Sequence, residues 1–164
     1  MAYSATTVAN YFIINYTKFG VLTPMKVIKL TYLAYSWYLA LTDGKSKLID
    51  ERLEAWDYGP VFPNLYKSIK NYGRTQIIEP IPNAKDEAIS ESDSKFLDKI
   101  WSMYGEFNGV QLSAMTHSDG TPWKKTYFPG GNAEISDKDI LEHYKPKLKP
   151  EKKIIELNEP ETTH

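Results

Sequence analysis

Three histidines set the scope for base catalysis in this 164-residue chain, and since His164 is the last residue, only His117 and His143 remain. His117 has the richer surroundings: Thr116, Ser118, Asp119, Thr121 and Trp123 lie within six residues of it. A hydroxyl nucleophile, a base and an orienting carboxylate are the parts of an acyl-transfer site, so a hydrolase-like centre on His117 is one reading. The plainer one is that the imidazole caps the last carbonyls of a helix and fixes the turn into Pro122. No partner motif favours the catalytic version. His117 with Asp119 is too small a set for a closed metal site, and Glu51, Glu54 and Asp57 fit an exposed acidic hairpin equally well. Neither a GxGxxG nor a Walker signature occurs. Cysteine is absent, which removes thiolate nucleophiles, disulfides and cysteine metal sites. The chain is therefore expected to be no enzyme, with no catalytic residue, cofactor or metal.

The other chemistry on offer is that of aromatic surfaces. Tyr, Phe and Trp make up 13% of the chain, and their amphipathic rings serve either cores or protein interfaces. They are densest in EAWDYGPVFPNLYKSIKNYG, residues 54–73. Trp56, Tyr58, Pro60, Phe62 and Trp123 are either core and turn residues or the rigid, low-entropy anchors that interfaces use. With His117 they form the candidate partner-binding set. Nucleic acid is a poor match, because only Arg52 and Arg74 among 20 basic residues are arginine and the net charge is −1. The N-terminus carries no charged segment followed by an apolar run and a small-residue cleavage site, so a cytoplasmic location is expected.

These residues must be held by helices. Thr23 to Gly44 reads as one long helix, capped by Thr23, opened by Pro24 and closed by a left-handed Gly44. It is apolar almost all round, which marks a core element wrapped by others. Lys26, Lys29 and Ser36 leave a narrow polar stripe, expected to be its one exposed edge, and the two lysines argue against a membrane span. A first helix capped by Thr6 or Thr7 precedes it. Leu48 to Ile49 and Leu53 to Trp56 are expected to pair as a small hairpin, with Gly59 and Pro60 forcing a turn before a third helix from Pro63 to Gly73. Gln76 to Pro82 is expected as an edge strand and Asn83 to Ser90 as an exposed loop. Further helices start at Ser92, at Asn108 (a helix holding Val110, Leu112, Met115 and Thr116), at Thr121 and at Ser136, where Ile135 is placed to staple onto Ile140. Beyond Tyr144 the sequence is lysine, glutamate and proline around Ile154, Ile155 and Leu157, too polar to fold alone. The expected fold is mainly α with minor β: a compact multi-helix domain around one central helix, with a small β-hairpin or short sheet. It spans residues 1–145, with a flexible charged tail over 146–164.

Four stretches in this order, LTPMKVIKLTYLAYSWYLAL, EAWDYGPVFPNLYKSIKNYG, LSAMTHSDGTPWKK and ISDKDILEHY, resemble the Panacea domain family of SocA-like antitoxins and phage-associated proteins. The resemblance covers most of Ala5 to Tyr144. Its most specific part is Trp56, Tyr58, Gly59, Pro60, Val61, Pro63 and Tyr66, with Thr116, His117, Pro122 and Trp123 matching further on. At Thr31 an apolar residue would be expected instead. The resemblance implies a helical antitoxin that neutralises a co-encoded protein toxin by direct binding, and some relatives look like adaptors that hand the toxin to a protease. A phage-derived DNA-binding regulator is the remaining alternative, weakened by the shortage of arginine.

Overall fold

The computed structural model describes residues 2–148 apart from 83, 85 and 86. Its axis is the long helix expected from the sequence, α2 (Pro24–Leu41). Thr23 Oγ1 accepts from the Lys26 backbone N–H at 3.3 Å, and the helix ends where Asp43 and Gly44 turn left-handed with φ of 55° and 78°. The Gly44 N–H then returns to the Leu39 carbonyl at 2.8 Å. Around α2 lie α1 (Ala5–Tyr16), α3 (Pro63–Ile69), α4 (Glu91–Tyr104), α5 (Gly109–His117), α6 (Pro122–Thr126) and α7 (Asp137–Tyr144). All but α6 pack directly on α2.

That wrapping overturns the expected exposed stripe. Lys26, Lys29 and Ser36 are only 3%, 3% and 0% exposed, because neighbours on every side leave α2 no solvent face. The lysines survive burial because their long stems carry the ammonium to unpaired carbonyls. Lys26 Nζ donates to the Gly105 carbonyl at 2.5 Å, at the C-terminus of α4 where a cation is favoured, and lies 4.9 Å over the Trp101 ring. Lys29 Nζ donates to the Pro60 carbonyl at 3.3 Å. Thr31, polar where an apolar residue would be expected, donates its hydroxyl back to the Val27 carbonyl at 2.8 Å and so enters the core satisfied.

The hairpin exists with a different partner. β1 (Glu54–Trp56) pairs with β2 (Gly59–Val61) in the register Glu54 to Val61 and Trp56 to Gly59, so Asp57 and Tyr58 form the turn and Gly59 and Pro60 belong to the strand. The Pro60 position faces Ala55 on an edge strand, where a missing N–H is tolerated. Ile49 instead meets Tyr3 in a parallel bridge, and the free edge of β1 is covered by the chain near Ile135, with the Ala55 N–H on the Ala133 carbonyl at 2.9 Å. No strand forms over 76–82. The Ile77 N–H goes to the Leu22 carbonyl at 2.7 Å, and the Ile81 N–H is taken by the Asn10 side chain at 2.7 Å.

Helix starts shift where a better-placed hydroxyl precedes the expected one. Ser4, not Thr6 or Thr7, caps α1, and Ser90, not Ser92, caps α4. Asn108 and Gln111 form a full capping box at α5. Val110 and Met115 of α5 are exposed. Leu112 and Thr116 face inward instead, and Gly109 lets the helix start abut α2, where a Cβ would stand 3.0 Å from the Lys26 nitrogen. Ser136 caps α7, with Ile135 and Ile140 both buried. A 3-10 turn over Lys145–Lys147 brings Leu148 into the core at 7% exposed. The cluster Ile154, Ile155 and Leu157 lies outside the described residues. The fold is mainly α with one two-stranded antiparallel sheet, and no described helix is long and apolar enough to cross a membrane.

Candidate functional site

The hairpin turn, the first two turns of α2, α3 and the loop at 130–132 enclose a cleft of about 560 Å³. Pro24, Met25, Ile28 and Lys29 line it from α2. Trp56, Asp57, Tyr58, Gly59 and Val61 line it from the hairpin, and Tyr66, Lys70 and Gly73 from α3 and the turn after it. Hydrogen bonds hold the hairpin in place from behind. Trp123 Nε1 donates to the Trp56 carbonyl at 2.7 Å, and Trp56 Nε1 donates to Glu54 Oε1 at 2.7 Å. Asp57 Oδ1 accepts from both the Tyr127 hydroxyl and the Gly130 N–H, each at 2.8 Å, contacts that hold its carboxyl below the usual carboxylate range.

Gly59 packs closely against α2 and α5. Its φ of 116° suits glycine, and a Cβ there would stand 2.6 Å from Lys29 Nζ and 3.0 Å from His117 Cε1. Lys29 and His117 thus meet against the hairpin backbone. Burial pushes the Lys29 amine down to about 7.

The six residues singled out from the sequence separate into three groups. Trp56 and Tyr58 line the cleft, Tyr58 being 78% exposed at its rim. Pro60, His117 and Trp123 stand behind it: the Pro60 carbonyl takes Lys29, and the Trp123 ring lies between His117 at 4.2 Å and Tyr127 at 4.3 Å. Phe62 is fully buried, edge to face with Tyr35 at 5.5 Å, and serves the core. Sequence reasoning missed Lys29, Met25, Ile28, Tyr66 and Lys70. The available signal was the pair of lysines in an otherwise apolar helix.

His117 Nδ1 does not form the base of a hydrolase-like pair. It is 2.6 Å from the Ser113 carbonyl, an acceptor only, so Nδ1 carries the proton and cannot serve as base to the Ser113 hydroxyl 3.3 Å away. Ser118 Oγ donates to the Met115 carbonyl and Thr121 Oγ1 to the Ser118 carbonyl, both as helix-end contacts. Among the described residues no His, Cys, Asp and Glu cluster could hold a metal ion.

Residues 27–124, which supply most of the cleft, match the family model described as "Antitoxin SocA-like, Panacea domain". The chain is also similar to Antitoxin SocA of Caulobacter vibrioides (strain NA1000 / CB15N), at 27% identity over 135 residues, covering 71% of this chain and 69% of that protein. No solved structure shows a significant match. The family model spans more than half of the chain and takes in the axis helix from Val27 onward and the aromatic hairpin; the protein belongs to the SocA-like antitoxin family with a Panacea domain.

Proposed function

We propose that the protein neutralises a co-encoded protein toxin by direct binding, using the face that carries the cleft. The observation behind this is the rim. Tyr58, Tyr66 and Phe128 are exposed at 78%, 38% and 54%; the two tyrosines line the cleft, and Phe128 stands beside it against Gly131. Tyrosine anchors on a rigid support are the usual centre of a binding surface, and this turn is held by the Trp123 and Asp57 contacts. Trp56 and Tyr58 are the direct contacts in this reading, while Pro60, His117 and Trp123 position them.

Co-expression with the neighbouring open reading frame tests it. The neighbour should arrest growth alone, the arrest should be relieved by this protein, and the two should co-purify. A harmless neighbour, or relief without any complex, would remove the proposal. The toxin level separates two routes: an unchanged level marks occlusion, and a fall that depends on a cellular protease marks delivery to that protease.

A further inference from the structure

Lys29 is a buried amine in the wall of the cleft with little to hold it. Its ammonium group has three N–H donors, and the acceptor the structure gives it is the Pro60 carbonyl at 3.3 Å. That is at the long end for an N–H···O bond, where about 2.7–3.2 Å is usual. Asp57, the carboxylate on the cleft wall, is engaged through Oδ1 by the Gly130 N–H and the Tyr127 hydroxyl. Lys70 adds a second positive group at the edge. The walls between them are largely apolar, from Ile28, Val61, Trp56 and Tyr66.

We propose that this cleft binds a metabolite-sized carboxylic acid with a flat apolar body, its carboxylate taking the free donors of Lys29 and its body resting on Ile28, Trp56 and Tyr66. An inorganic anion would leave the apolar walls uncovered. A neutral apolar ligand would leave the buried amine as poorly paired as before. The volume of about 560 Å³ falls within the roughly 300–1,000 Å³ of small-molecule sites, and Lys29 as a residue is 3% exposed rather than set on the rim. This site goes beyond toxin binding and does not depend on it. A carboxylate at Lys29 also returns the amine, pushed to about 7 by burial, to its charged form. The other titratable groups around it are Asp57, Tyr58, Tyr66 and Lys70 on the walls and His117 behind Gly59.

The test uses the full chain labelled at its lysine side chains, with the Lys29 resonance assigned from Lys29→Arg and Lys29→Met. Three probes are titrated: indole-3-acetate, indole-3-acetamide, and the blocked dipeptide N-acetyl-Trp-Asp-amide. The acid should shift the Lys29 resonance saturably and raise its titration midpoint by about one unit or more. The amide should bind at least tenfold more weakly, and Lys29→Met should lose the preference for the acid. Equal binding of acid and amide, an acid preference surviving in Lys29→Met, or no saturable shift in the wild-type chain would overturn the proposal. Tighter binding of the blocked dipeptide than of the acid would overturn it too, reassigning the site to an acidic segment of a protein partner. The wild-type titration stands even if Lys29→Met does not fold.

Discussion

Replacing Lys29 by Met should stabilise the protein at acid and neutral pH and lose that advantage as pH rises. Lys29 has a folded value of about 7 against 10.5 unfolded, so between these limits the unfolded chain binds more protons than the folded one. Stability from this group therefore rises with pH across that window, and below about pH 7 the full penalty of a buried ammonium is present. At 1.36 kcal/mol per unit the penalty is on the order of 5 kcal/mol. Methionine keeps the apolar stem without the charge, but it removes the bond to the Pro60 carbonyl, at a cost of about 1–3 kcal/mol. The variant should thus be more stable by roughly 2–4 kcal/mol near pH 6 and level with or below wild type near pH 10. Denaturant unfolding of both proteins at matched pH values measures the difference, and titrations common to the two chains cancel. A difference that stays constant from pH 6 to 10, or a variant that is less stable at pH 6, would show that Lys29 is a well-solvated cation and refute the reasoning.

Gly59→Ala should cost about 1–3 kcal/mol of unfolding free energy through its left-handed backbone and the Cβ approach to Lys29 and His117, read from the denaturant midpoint. Trp123→Phe keeps an aromatic ring, though a smaller one, and removes the donor to the Trp56 carbonyl; it should cost at least about 1–3 kcal/mol and weaken the toxin complex measured by calorimetry. Asn108→Ala breaks the capping box of α5 and should lower stability by about 1 kcal/mol. Tyr58→Ala, at the exposed rim, should leave stability within about 0.5 kcal/mol and weaken toxin binding about tenfold or more, so that co-purification fails while the melting temperature holds.

Local chemistry decided the starts and stops of most helices. Thr23 with Pro24, Asn108 with Gln111, Thr121 with Pro122 and Ser136 satisfy free backbone donors within three residues of themselves, so their roles are written in the chain. The same holds for the apolar girth of α2, which requires a helical jacket. Strand pairing was not legible. A three-residue strand carries too little period to name its partner, and β1 pairs with Gly59–Val61 rather than Leu48–Ile49, in a setting where Trp123 and Ala133 also bond to its backbone. The fate of Lys26 and Lys29 was equally beyond the sequence, since a lysine on a helix faces water unless other elements bring it carbonyls. The end of α4 supplied one and the edge of β2 the other. By itself the sequence determined an antitoxin-family helical domain with an aromatic turn; only the tertiary structure decided that this turn would lean on a buried amine and open a cleft beside it, because that contact joins residues 31 positions apart whose meeting no local preference encodes.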